Sequence, residues 1–184
     1  MASVQTAVPD GRAATAAGQY LTFMLGTEEY GVDVLQVQEI IGYQAPTPVP
    51  GMPPYMSGVI NLRGVVIPVM DARRLLRMPE GAYTRQSAVV VIQSEDHRSG
   101  LIVDHVADVV TLEPGQVSEP PRMRDDVRMD CLKGIGQINQ RMLILLDASR
   151  LMEGAAKHLG EAVQGVRDAL ATAAAVAAPA APQA

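Results

Sequence analysis

The second half of this chain repeats the pattern of the first. Met56-Ser57-Gly58-Val59-Ile60 leads through an apolar run to Asp71-Ala72-Arg73-Arg74-Leu75-Leu76. Leu132-Lys133-Gly134-Ile135-Gly136 leads through another to Asp147-Ala148-Ser149-Arg150-Leu151-Met152, at a constant offset of 76 residues (58 to 134, 71 to 147). Earlier segments match at an offset of 69: Gly31-Val32-Asp33-Val34 with Gly100-Leu101-Ile102-Val103, then Val37 with Val106, Glu39 with Asp108 and Ile40 with Val109. The offsets differ by seven, so the second copy carries a seven-residue insertion between Val109 and Leu132. The chain therefore holds two copies of one small β unit. Each spans about 60–70 residues, a size at which a lone core is marginal. The copies are expected to share a hydrophobic seam.

The elements follow from local pattern. Gln19 to Leu25 and Tyr30 to Val34 read as a hairpin around Gly26-Thr27-Glu28-Glu29. Leu35 to Ile41 suits either a strand or one helical turn. Ala45 to Pro54 holds too many prolines for a central strand or helix and reads as an edge or a wrapped connection. Gly58–Asn61 and Val65–Met70 pair across Leu62-Arg63-Gly64, and Asp71 caps a short helix to about Leu76. Residues 79–85 link the copies. In the second copy Ser87–Gln93 and a long, bending Gly100–Val110 are strands, Glu113–Asp130 is a loop, and Lys133–Asn139 and Met142–Leu146 close the unit. Short strands with frequent turn signals predict an all-β fold of two small closed barrels rather than a parallel sheet. The expected organisation is an arm over 1–18, a first barrel mainly over 19–78 and a second mainly over 86–148. An amphipathic C-terminal helix follows over 149–170, with its stripe on Leu151, Ala155, Leu159, Val163, Val166 and Leu170, and then an Ala/Pro-rich tail over 171–184.

Composition narrows function by exclusion. A formal net charge of −5 without a clustered basic face argues against nucleic acid, and one Phe with no Trp is a poor stock for base stacking. No apolar run approaches the length that spans a bilayer. The N-terminus lacks a signal-peptide pattern and Cys131 stands alone, which points to the cytoplasm. Metal-ligand spacings and phosphate-binding glycine loops are missing from the sequence, so neither cofactor nor metal is expected. Asp104 and His105 are adjacent on a strand and point to opposite faces, which leaves a hydrolytic or ligand-binding barrel as the weakest alternative. An interaction protein remains, not an enzyme.

Positions that differ between the copies are free to carry a particular task. Asn61-Leu62-Arg63-Gly64 becomes Gln137-Ile138-Asn139-Gln140, so Arg63 has no charged counterpart. At a hairpin tip its guanidinium is either a solvated turn residue or a contact for a partner's carboxylate or carbonyls. If the segment after the second strand borders the seam, Val37 and Ile41 line a groove while Glu39 and Arg63 polarise its rim. Gly58 and Gly134 recur as marks of close backbone approach, with Gly64 as a turn glycine.

These residues resemble the CheW family of bacterial chemotaxis adaptors. Glu28 to Val34, Val37-Gln38-Glu39-Ile40, the run Gly58 to Asp71, Gly100 to Val106 and Met142 to Asp147 carry the resemblance, which covers about Gln19 to Met152. It implies two five-stranded SH3-like barrels and a non-enzymatic adaptor. Such an adaptor joins the cytoplasmic hairpin tip of chemoreceptors to the regulatory domain of the histidine kinase CheA, with adaptor–adaptor contacts in rings, at membrane-associated arrays. By the same resemblance Val37, Glu39 and Arg63 face the receptor, the groove reading adding Ile41 to them, and the loop Ser118 to Met123 contributes a kinase or ring contact anchored by Met123. A paralogous adaptor of another receptor array, serving surface motility or development, is the alternative within the same class.

Overall fold

A computed structural model describes residues 18–94, 97–119 and 131–153. Eleven strands are named in chain order: β1 (Gly18–Leu25), β2 (Glu28–Asp33), β3 (Val37–Gly42), β4 (Met56–Leu62), β5 (Val65–Asp71), β6 (Ala88–Ser94), β7 (His97–Val103), β8 (His105–Leu112), β9 (Val117–Ser118), β10 (Leu132–Ile138) and β11 (Arg141–Leu146). Helix α1 (Ala72–Leu75) follows β5, and a second helical segment begins at Ala148. The ambiguous stretch after β2 is both things in turn: a 3-10 turn over Val34–Gln36, capped by Asp33, and then β3. Strand β1 already includes Gly18, which pairs with Leu112. The expected loop after Glu113 contains a 3-10 turn over Pro114–Gln116 and the short β9. The N-terminal arm, Met123, most of the C-terminal helix and the tail lie outside the described residues.

The strands form two sheets, ordered β8-β1-β2-β11-β10-β9 and β3-β6-β7-β5-β4. Substituting each strand by its counterpart in the other copy converts one order into the other, with β9 matched by the bridge from Thr47 to Val59. Registers repeat as well. Gly31 pairs with Leu145 as Gly100 pairs with Val69, and Leu21 with Val109 as Val90 with Ile40. Both β4–β5 and β10–β11 carry a bulge at the same place, before Gly58 and Gly134. The turn after β8 brings β9 back onto β10, and the segment after β3 bridges onto β4, so each sheet closes on itself as a small barrel. Thr47 and Ser118 are 71 residues apart whereas Val59 and Ile135 are 76 apart, which places two inserted residues before Ser118 and five after it.

The expected division into a barrel over 19–78 and another over 86–148 is corrected by this topology. Hairpin β1–β2 stands in the sheet of β8–β11, and hairpin β6–β7 stands in the sheet of β3–β5. The copies have exchanged their first hairpins. Local pattern specifies which face of a strand is buried, but both copies share that pattern, so either could complete either barrel. The connections decide it. The 3-10 turn at Val34–Gln36 and the bend at Asp104 redirect the chain into the other sheet rather than reversing it beside its own hairpin.

The exchange also explains the core. One cluster unites Phe23, Leu25, Val32, Met70, Val90, Leu101, Leu146, Leu151 and Met152 from both sheets and the terminal helical segment. Smaller clusters fill each barrel: Ile60, Ile67, Val69, Val89, Val91 and Ile102 in one, Tyr20, Leu112, Leu143 and Leu145 in the other. Each fully buried side chain of this size contributes about 1.5–3 kcal/mol, and the central cluster is shared, so the barrels stabilise one another.

Candidate docking site

Strand β3 alternates along its length: Val37, Glu39 and Ile41 are half-buried while Gln38, Ile40 and Gly42 are exposed. Glu39 and Ile41 share a face because side chains of a strand alternate, while the bulge between Val37 and Glu39 turns Val37 to the other face of the sheet. Val37 packs against the central cluster and Ile41 against the Ile60 cluster. Between them Glu39 meets the β4–β5 hairpin. That hairpin turns through two residues, Arg63 (φ 51) and Gly64 (φ 88), both left-handed. This is the twist that a two-residue hairpin favours. The Gly64 amide donates to Asn61 Oδ1 at 2.8 Å, fixing the turn.

The turn aims Arg63 back across β3, where its Nη2 donates to Glu39 Oε2 at 2.7 Å. The pair is lopsided: the Arg63 side chain is 79% exposed and that of Glu39 18%. One face of the guanidinium is thus held while its other donors remain open to solvent. An exposed pair of this kind contributes about 0–1 kcal/mol to stability, too little to explain a non-glycine residue held at positive φ in the turn. On the strands that carry the pair and its turn, Ile40 of β3 and Val65 and Val66 of β5 expose apolar surface. The Tyr43 ring stacks on Tyr83 at 4.3 Å, and the Tyr83 hydroxyl donates to Asp71. Burial, then that hydrogen bond and the Asp71 charge, push the Tyr83 phenol up to about 12.

The equivalent corner of the other barrel lacks the pair. Asp108 replaces Glu39 and Asn139 replaces Arg63; Asp108 Oδ1 accepts from the Val109 amide instead. Apolar exposure, by contrast, is duplicated. Ile40 and Val109 are each 45% exposed, and Val66 and Met142 are 62% and 66% exposed. Sequence reasoning missed these four residues, although laying the copies over one another at offsets 69 and 76 aligns them.

Ser118 lies in β9, paired with Ile135, away from the Glu39–Arg63 corner in the other sheet. The backbone at Gly58 (φ 136) lies against Thr47, and that at Gly134 against Ser118. Asp104 does not face His105: its carboxylate accepts from the Gly26 amide at 2.7 Å and from Arg73, to which it is ion-paired. Among the described residues no cluster of three or more His, Cys, Asp or Glu side chains is placed to hold a metal ion. No helix among them is long and apolar enough to cross a membrane.

Comparison with known proteins places this geometry. The chain is 37% identical over 138 residues to the chemotaxis protein CheW of Klebsiella aerogenes, covering 75% of this chain and 83% of that protein. It is 38% identical over 136 residues to the chemotaxis protein CheW of Bacillus subtilis, covering 72% and 85%. Protein FrzA of Myxococcus xanthus is 27% identical over 139 residues, covering 74% and 86%. The crystal structure of the scaffolding protein TtCheW from Thermoanaerobacter tengcongensis superposes with a TM-score of 0.66 at 27% identity, over 71% of this chain and 89% of that one. A CheW-like domain matches residues 19–156, and the chain belongs to that family.

Proposed function

We propose that this protein is a chemotaxis adaptor that couples the cytoplasmic hairpin tips of chemoreceptors to the CheA histidine kinase, without chemistry of its own. The observation that carries this reading is the difference between the two barrels. Both expose apolar side chains at the same two equivalent positions, Ile40 and Val66 in one and Val109 and Met142 in the other, while only one carries the half-open Glu39–Arg63 pair. Like surfaces on two related barrels suit related barrel domains, those of the kinase and of other adaptor copies. The unlike corner suits a different partner, the receptor, whose helical hairpin would lie on Val37, Glu39, Ile41 and Arg63. Ser118, with Met123 beyond it in sequence, belongs to the kinase or ring side of this reading.

An adaptor of this kind acts by raising the effective concentration of kinase at the receptor and by passing on a conformational bias through two barrels that share one core. Cytoplasmic placement at receptor arrays follows from those partners. Co-sedimentation of the protein with a kinase and a receptor fragment, scored for kinase stimulation, tests the reading. Stimulation that requires all three components supports it, and kinase activity indifferent to the protein overturns it. The similarity to FrzA supports a second reading, an adaptor of the same class serving another receptor array. The same assay with the kinase encoded beside each candidate array separates the two.

A further inference from the structure

The chain crosses from one sheet to the other through residues 34–36, between β2 and β3, and through Asp104, between β7 and β8. The duplication makes these crossovers equivalent, with Leu35 in the place of Asp104 (offset 69) and Ser149 in the place of Arg73 (offset 76). The helices beside them begin alike, capped by Asp71 Oδ1 and Asp147 Oδ1. The chemistry that joins crossover to helix does not match. At the first a neutral bond does so, from Gln36 Nε2 to Ser149 Oγ at 2.9 Å, and Leu35 itself is 91% exposed.

At Asp104 the junction is charged and draws members from both barrels. The Asp104 amide donates to the Met24 carbonyl at 3.2 Å, and its Oδ2 accepts from the Gly26 amide at 2.7 Å, both in the β1–β2 hairpin. The same Oδ2 accepts from Arg73 Nη2, on the helix that continues β5 of the other sheet. Arg73 Nε is buried without a hydrogen-bond partner, and among the described residues Asp104 is the one ion-pair partner of the guanidinium.

Residues 78–81 close over this junction. The Met78 amide donates to the Arg73 carbonyl at 2.8 Å, and Gly81 lies so close that a Cβ there would stand 1.4 Å from Nη1. The Met78 side chain crosses to the β1–β2 hairpin, where its Sδ lies 3.7 Å from the Tyr30 hydroxyl. Sheltered in this way, the two charges have little water to fall back on if they part, so the contact resists displacement more than an exposed pair does.

Both ends of the junction lead to exposed surface. Strand β5 runs from Val65, beside the Arg63–Gly64 turn, to Asp71, the cap of the helix that carries Arg73. On the other side the β1–β2 turn borders an open cleft of about 470 Å³, lined in part by Met24, Thr27, Glu28 and Met142. Coupling between two faces requires an element that both of them bias, and this contact is one that both share.

We propose that the Arg73–Asp104–Gly26 junction is a latch that fixes the angle between the barrels at one crossover, leaving the Leu35 crossover as the yielding side, and that a partner seated on the Arg63 corner reaches the other barrel through it. The second clause rests on the adaptor reading, and the first stands without it.

The test is the distribution of distances between nitroxides carried on p-acetylphenylalanine at Val66 of one barrel and Met142 of the other, in the full chain, with Val66 and Ile40 as a control pair inside one barrel. Asp104→Asn keeps an oxygen for the Gly26 amide but no charge for Arg73, and Gly81→Ala displaces the guanidinium without removing a charge. Each should widen the Val66–Met142 distribution and leave the control pair unchanged. In the unlabelled chain both should leave capture of a receptor hairpin fragment undiminished while kinase stimulation falls about tenfold. An unchanged Val66–Met142 distribution overturns the latch, and so does equal widening of both pairs, which is a general loosening of the fold. Widening between the barrels with full stimulation overturns the transmission. A wild-type chain that gives no stimulation overturns the adaptor reading and the transmission with it, while the distances still decide the latch.

Discussion

The backbone of Gly58 runs so close to the carbonyl of Thr47 that a β-carbon on Gly58 would stand 2.1 Å from the carbonyl oxygen. Reciprocal bonds between Thr47 and Val59, at 2.8 and 2.9 Å, hold the two segments there and close the barrel. Neither side is a flexible side chain, so the clash cannot be relieved cheaply, and the φ of 136 at Gly58 adds strain for any L-residue. Gly134, its counterpart, leaves 2.9 Å to the Ser118 oxygen. Gly58→Ala is therefore expected to cost about 3 kcal/mol or more, and Gly134→Ala about 1–2 kcal/mol. Chemical denaturation of the two variants checks the order, and equal losses would contradict the geometry.

Arg63 allows stability and coupling to be separated. Its φ of 51 suits Asn better than Arg, and Asn-Gly is the preferred pair for this hairpin turn. The ion pair with Glu39 is worth little at an exposed site. Arg63→Asn should therefore raise the unfolding midpoint slightly, by about 1–2 °C. It should also weaken capture of a receptor hairpin fragment by about tenfold, because the open guanidinium donors are gone. Undiminished capture removes Arg63 from the docking site, and a lowered midpoint contradicts the strain argument.

Arg73 and Asp104 present the opposite case, a mostly buried pair that joins α1 to the bend between β7 and β8, with the Gly26 amide as a third member. Removing one partner leaves the other charge with little water to replace it. Arg73→Ala or Asp104→Ala is expected to cost about 3 kcal/mol, several times the effect at Arg63. The double variant should cost less than the two single losses added together, since the second change removes an unpaired charge. Strict additivity in thermal unfolding would mean that the contact contributes no coupling.

Much of this architecture is legible in the residues, and the failure is instructive. The offsets 69 and 76 that align Gly31 with Gly100 and Gly58 with Gly134 also align sheet registers and bulges, because each depends on short-range pattern. The exchange of hairpins β1–β2 and β6–β7 is not legible, since a duplicated chain offers each hairpin two partner sets of the same sequence type. Only the path at Leu35 and Asp104 distinguishes them. At the candidate site, the loss of charge from Arg63 to Asn139 marks the corner in sequence. Its partner Glu39 is confirmed only by the turn, whose left-handed backbone sends the Arg63 side chain back over β3. Val65, Val66 and Ile40 read as ordinary strand residues, and three dimensions are needed to see that they stay uncovered.

Tyr83 gives the fold a measurable alkaline signature. Burial and its donation to Asp71 raise its phenol to about 12, against about 10 for a free tyrosine. The folded protein thus holds this proton more tightly than the unfolded chain. The resulting stabilisation is complete below about pH 10 and is lost as pH rises through about 12. Tyr30 is raised as well, by burial and by its bond to Glu28, and Tyr55 by burial, so three of the five tyrosines should titrate late. Phenolate absorbance followed with pH should show a late stage from these three rings that accompanies unfolding. Tyr83→Phe should remove one ring from the late stage and flatten the loss of stability between about pH 10 and 12. If the late stage of that variant is undiminished, Tyr83 does not hold its proton on Asp71, and the stack with Tyr43 is packed differently from the arrangement described.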